Sequence, residues 1–177
     1  METKRCRICT AAGTLVFLTV FAGVITFAQE EDKEKILQEF RRRLADSNGV
    51  SVYVDVIAKE KSEEESLTEQ LQKDIEDQLK ESKIKILTKD QLEYAPGRPR
   101  LALYIVIFKD TSQRDVYLYS FRIVHFEDAV LDRNDRYTEG VCWDSGLYVG
   151  RERLASIKRN IKNHVNRYIN NYLIANP

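Results

Sequence analysis

LALYIVIFK (Leu101 to Lys109), DTSQRD (Asp110 to Asp115) and VYLYSFRIVHFE (Val116 to Glu127) form the stretch on which the fold turns. In the first run Leu101, Leu103, Ile105 and Ile107 alternate with Ala102, Tyr104, Val106 and Phe108. Both faces are therefore apolar, the pattern of a central strand covered on two sides. In the second run Tyr117, Tyr119, Phe121, Ile123 and His125 share one face, and the mixed set Val116, Leu118, Ser120, Arg122, Val124 and Phe126 shares the other. β-Branched and aromatic enrichment without internal Pro or Gly specifies strands, and the polar hexapeptide between them predicts an antiparallel hairpin.

Upstream, Val50, Val52, Val54 and Val56 alternate with Ser51, Tyr53, Asp55 and Ile57, the period of a strand with one buried face. After a polar connector, Leu67, Leu71, Ile75 and Leu79 make an i, i+4 stripe on a helix, and Ile84, Ile86 and Leu87 a short strand. Strand, helix and strand predict a parallel pair joined by a right-handed crossover. Before this unit, Ile36, Leu37, Phe40 and Leu44 fall at helical spacing, so residues 29–49 are expected to hold a charged helix stopped by Asn48-Gly49.

Downstream of the hairpin, residues 132–136 read as a turn. Tyr137 to Val149 follows as a last strand, interrupted at Asp144-Ser145-Gly146 by a bulge or tight bend. From Arg151 to Leu173, Leu154, Ile157, Ile161, Val165, Tyr168 and Tyr172 recur every three or four residues, so this helix should close one sheet face. The fold class is α+β: residues 50–177 are expected to form one domain with a mixed sheet of about five strands, a β-α-β unit followed by antiparallel β-β-β, and a long C-terminal helix packed on one face.

At the N-terminus, Lys4, Arg5 and Arg7 precede an uncharged run from Ile8 to Ala28 that ends Thr26-Phe27-Ala28. Basic, apolar and then small residues are the plan of an export signal, residues 1–28, with cleavage after Ala28. The alternative is an uncleaved anchor, because at about 1.5 Å per residue the uncharged run matches the roughly 30 Å hydrocarbon core. Either way the domain is expected outside the cytoplasm, periplasmic or secreted, touching a membrane only through this segment. Cys6 and Cys9 lie in the basic start of the signal, so after cleavage Cys142 is the one remaining cysteine and no intramolecular disulfide is expected.

The 177 residues carry a formal net charge of zero, with 32% charged and 43% hydrophobic residues, as in an ordinary globular protein. Residues 30–82 hold 16 acids against 9 bases and residues 83–177 hold 11 acids against 16 bases, two parts that can attract each other. Nothing here points to nucleic acid. Neither of the glycine-rich phosphate loops, G-x-G-x-x-G or G-x-x-x-x-G-K-S/T, occurs. Asp144-Ser145-Gly146 shares three residues with the nucleophile tripeptide of chymotrypsin-like proteases, and His125 and His164 could serve as bases, but the flanking Trp143 and Leu147 depart from that pattern. Two histidines and one mature cysteine are too few for a closed structural zinc site, so no catalytic residue, metal or cofactor is expected. Two interaction surfaces remain: a basic face of the last helix built from Arg151, Lys158 and Lys162, and sheet-face aromatics Tyr117 and Tyr119.

The exported start, the β-α-β unit, the hairpin and the closing helix ending Tyr168-Ile169-Asn170-Asn171-Tyr172-Leu173-Ile174-Ala175-Asn176-Pro177 resemble small, uncharacterised bacterial envelope proteins. The element order is also similar to that of the N-terminal domain of the translocation protein TolB and of the penicillin-binding-protein activator lipoproteins, although the lipoprotein cysteine of the latter is missing. The resemblance implies a non-enzymatic envelope accessory or protein-interaction domain, whose partner is an envelope protein. The alternative is a small-ligand or anionic-polymer binder using the basic helix face, and a hydrolase is a further alternative.

Overall fold

The computed structural model of the chain describes residues 35, 38, 39, 41–131 and 136–177. The chain divides into two units, residues 1–39 and residues 40–177. Of the first, residues 35, 38 and 39 are described and are helical. The expected signal segment, and Ile36, Leu37 and Phe40 of the expected first helix, lie outside the described residues. Among the described residues no helix is long and apolar enough to cross a membrane.

The second unit is a mixed five-stranded sheet with helices on one face. Its strands are β1 (Ser51–Ile57), β2 (Arg100–Lys109), β3 (Tyr117–Leu131), β4 (Arg136–Asp144) and β5 (Tyr148–Glu152). Its helices are α1 (Lys61–Glu81), α2 (Lys89–Tyr94) and α3 (Leu154–Ala175). β1 and β2 run parallel, Val54 beside Leu103, and β2 and β3 run antiparallel, Ile105 beside Phe121. β3 is long enough to pair twice along its other edge, with β5 through Tyr117 to Phe121 and with β4 through Val124 to Leu131.

Sequence period explains which face is covered. Val52, Val54 and Val56 of β1, Leu101, Leu103, Ile105 and Ile107 of β2, and Tyr119, Phe121 and Ile123 of β3 are all buried. Leu67, Leu71, Ile75 and Leu79 of α1 and Ile157, Ile161, Val165 and Tyr168 of α3 complete one continuous core with them. The expected α+β architecture, with the long terminal helix on one sheet face, is what the chain adopts.

Four finer expectations are corrected. Ile84 to Leu87 is not a strand: it makes one parallel bridge, Val50 with Ile86, and the strand parallel to β1 is β2. Thr88 ends it, because its hydroxyl caps the Gln91 amide while the Gln91 side chain caps the Thr88 amide, a box that starts α2 at once. The run from Tyr137 to Val149 is two strands, since Gly146 at φ +77° and the Asp144 carboxylate accepting from the Gly146 amide fold the chain between β4 and β5. The left-handed stop after the helical residues 41–44 is Asp46, at φ +66°, rather than Asn48-Gly49, although Gly49 also has positive φ and a Cβ there would meet the Lys85 carbonyl at 2.6 Å. The fourth concerns β2, whose second face is open at Tyr104 and Phe108 and buried only at Ala102, beside Val124, because α1 and α3 both pack on the first.

Candidate functional site

The open face of the sheet is the first candidate. Tyr53 and Ile57 of β1, Tyr104 and Phe108 of β2 and Leu118 of β3 stand on it, each between 41% and 53% exposed. Register makes them neighbours, with Ile57 beside Val106 and Phe108 beside Leu118, and the rings of Tyr53 and Tyr104 meet edge-on with centroids 6.3 Å apart. Polar groups rim the patch: Arg122 is paired with Asp144, and Arg151 donates to Asp110 at 2.5 Å. The Ser112 hydroxyl and amide, and after them the Arg151 guanidinium, hold the Asp110 carboxyl down to about 2.

The aromatics singled out from the sequence are not part of this surface. Tyr119 is buried on the helix side, where Asn160 donates to its hydroxyl at 3.3 Å and its ring covers Gly150, and Tyr117 packs partly buried against the same core. Odd-numbered residues of this strand turn inward. The exposed aromatics of β1 and β2 are Tyr53, Tyr104 and Phe108.

The basic helix face is also rearranged. Arg151 belongs to β5, not to α3, and its guanidinium is held by Asp110, Ser112 and Gln113. Lys158 and Lys162 lie on α3 but line a groove of about 360 Å³ against α1, whose wall supplies Asp74, Asp77 and Glu81. Lys158 donates to Gln70 at 2.7 Å, and Gln78 donates to the Lys162 carbonyl at 3.0 Å. Acidic residues of α1 and lysines of α3 thus line one groove between the two helices.

A second cluster lies at the far end of the covered face, where His125, Glu127, Cys142 and Tyr168 meet. His125 is fully buried; its Nδ1 is 2.8 Å from the Tyr168 hydroxyl and its Nε2 is 3.1 Å from a Glu127 oxygen. Strand alternation puts His125 on the face of Tyr119, Phe121 and Ile123 but does not connect it with Cys142. A β-bulge makes the connection. His125 pairs with Trp143 and Phe126 with Val141, so Cys142 is the extra residue on β4, and consecutive residues Cys142 and Trp143 both turn to the helix side. Burial, and next the Glu127 carboxylate, pushes the Cys142 thiol up to about 11, while Arg43 opposes that shift. Desolvation holds the Tyr168 hydroxyl well above the usual phenol range.

His164, the other histidine, is buried between Phe121 and Tyr148, with ring centroids 5.4 Å and 4.0 Å away. Its Nδ1 has no hydrogen-bond partner among the described residues. Ser145 does not approach either histidine as a nucleophile would: its hydroxyl donates to the Gly146 carbonyl and accepts from the Ile123 amide. Compared with known proteins, the chain matches no family, no curated protein and no solved structure.

Proposed function

We propose that this protein is a non-enzymatic interaction module of the cell envelope, acting outside the cytoplasm, and that it docks a partner protein on the open face of its sheet. The observation that carries the reading is the apolar surface of Tyr53, Ile57, Tyr104, Phe108 and Leu118 across three strands, broken on β1 by Asp55 beside Tyr104. Soluble monomers seldom leave such a surface uncovered, and large aromatics are the residues that dominate interface energy. The partner chemistry it suits is the apolar side of an amphipathic helix, the same kind of element that α1 and α3 lay on the opposite face. The N-terminal basic and apolar plan supports an extracytoplasmic setting.

The anionic-polymer alternative is weaker, because Lys158 and Lys162 face the acidic wall of α1 and Arg151 is engaged by Asp110. Affinity capture from envelope extract discriminates the two. The variant Tyr104→Ser/Phe108→Ser is expected to lose the captured partner, at a cost of about 2 kcal/mol or more for hot-spot aromatics, while its melting transition stays near that of wild type. If that variant captures as wild type does, and Lys158→Glu/Lys162→Glu instead abolishes salt-sensitive retention on an anionic polymer, the docking reading is overturned.

A further inference from the structure

We propose that His125 Nε2, a Glu127 carboxylate oxygen and Cys142 Sγ form a binding site for one divalent transition-metal ion of the zinc class, with Tyr168 orienting the imidazole from behind. These three ligand atoms already lie within 4.8 Å of one another. Tetrahedral zinc with bonds of about 2.0–2.3 Å sets its ligand atoms roughly 3.3–3.6 Å apart. His125 and Glu127 stand at 3.1 Å, so the contraction required falls on the thiol.

Three features favour an ion over a simple hydrogen-bonded pair. The donor set is mixed nitrogen, sulfur and oxygen, which suits a borderline-soft divalent ion and not magnesium or calcium, whose ligands are oxygens. Carboxylate and thiolate together cancel the ion's two charges, so the occupied site is neutral where it is buried. The bulge on β4 places Cys142 here when regular alternation would have turned either it or Trp143 away, and the sulfur has only a long 3.9 Å contact to the Gly140 carbonyl to give up.

The proton bookkeeping closes. Without the ion, the Tyr168 hydroxyl donates to Nδ1 and Nε2–H donates to Glu127. With it, the imidazole proton moves from Nε2 to Nδ1 and is donated to the Tyr168 oxygen, whose own hydrogen turns away from the ring, Nε2 and Glu127 turn their lone pairs to the ion, and the Cys142 thiol releases one proton. A ligating histidine is commonly held in this way by a hydrogen-bonding group on its second nitrogen. Glu127 keeps a quarter of its side chain accessible, which supplies both the entry path and a fourth position for water or for a donor from a partner.

The test is titration of the purified protein with zinc and with cobalt(II), the latter followed by absorption. One ion per chain is expected, with a thiolate-to-cobalt charge-transfer band in the near ultraviolet. Cys142→Ser should abolish the band and weaken zinc at least tenfold. Glu127→Gln should weaken zinc while keeping the band, and Tyr168→Phe should lower affinity by about 10–100-fold, again with the band retained. Should Cys142→Ser fail to fold, the wild-type thiol provides the second measurement: zinc should protect it from alkylation and a chelator should restore its reactivity. The proposal is overturned if excess zinc neither binds nor protects the thiol, or if binding is the same in Cys142→Ser as in wild type.

Discussion

His164 carries a consequence of burial that a titration can read. Desolvation first, and the nearby Arg167 second, hold its imidazole below the ordinary value of 6.5. The ring is wedged against Phe121 and Tyr148, so the folded state resists a proton that the unfolded chain accepts. For a histidine with a depressed folded value, this contribution to stability is complete above pH 6.5, begins to fall as the pH drops through 6.5, and levels off below the folded value. Urea midpoints across that window should therefore decline for wild type, and His164→Leu should decline less. A series in which both proteins decline equally would refute the assignment. At the same scale, Asp144 is held below the usual carboxylate range by Arg122, so its contribution is present above about pH 3.8 and lost as the pH falls through the depressed value. Both histidines were visible in the sequence, His125 on the strand face it shares with Tyr119, Phe121 and Ile123. Their partners were not, because Tyr168 comes from a helix more than 40 positions away and Cys142 arrives by way of a bulge.

At the level of elements, β5 and the end of α3 hold close contacts that single substitutions can test. Gly150 lies beneath the Tyr119 ring, and a Cβ there would stand 2.8 Å from ring carbon and hydroxyl oxygen alike. Gly150→Ala should therefore displace a buried aromatic and cost about 1–3 kcal/mol in chemical denaturation, whereas Gly146→Ala meets no atom within 4 Å and is strained only by its φ of +77°. α3 ends on Asn176, whose amide group donates to the Leu44 carbonyl at 2.8 Å and to the Tyr172 carbonyl at 3.0 Å and accepts from the Ser47 amide at 3.1 Å. Tyr172 adds a bond to the Ser47 carbonyl at 2.6 Å. Asn176→Ala should lower stability by about 1–2 kcal/mol and raise amide exchange around Ser47 first. Period and spacing made α1, α3 and the hairpin readable. The capping box at Thr88 to Gln91 was equally present in the sequence as T-x-x-Q and marks the start of a helix that periodicity alone cannot find in six residues.

Across the whole molecule, the sheet is covered on one side, and adjacent residues of one strand should show it. Ile107→Ala is expected to cost about 2–5 kcal/mol because its side chain is buried in the core, while Phe108→Ser, on the open face, should stay within about 1 kcal/mol. Equal losses would mean that the second face is covered in solution. By itself the sequence determined the α+β class, the antiparallel hairpin, the long terminal helix and the burial of the valine and leucine stripes, because all of these follow from local hydrophobic period, to which every residue of an element contributes. Its charge distribution also left acidic and basic parts able to attract each other, and among the described residues Asp74, Asp77 and Glu81 line one groove with Lys158 and Lys162. Only the tertiary structure decided which strand lies beside β1, which face of β2 stays open, that Arg151 belongs to a strand and that Cys142 meets His125. Each of these depends on where chain segments distant in sequence come to rest, through a cap at Thr88, a turn at Gly146 and one extra residue in β4, and single residues of that kind leave no periodic trace to read.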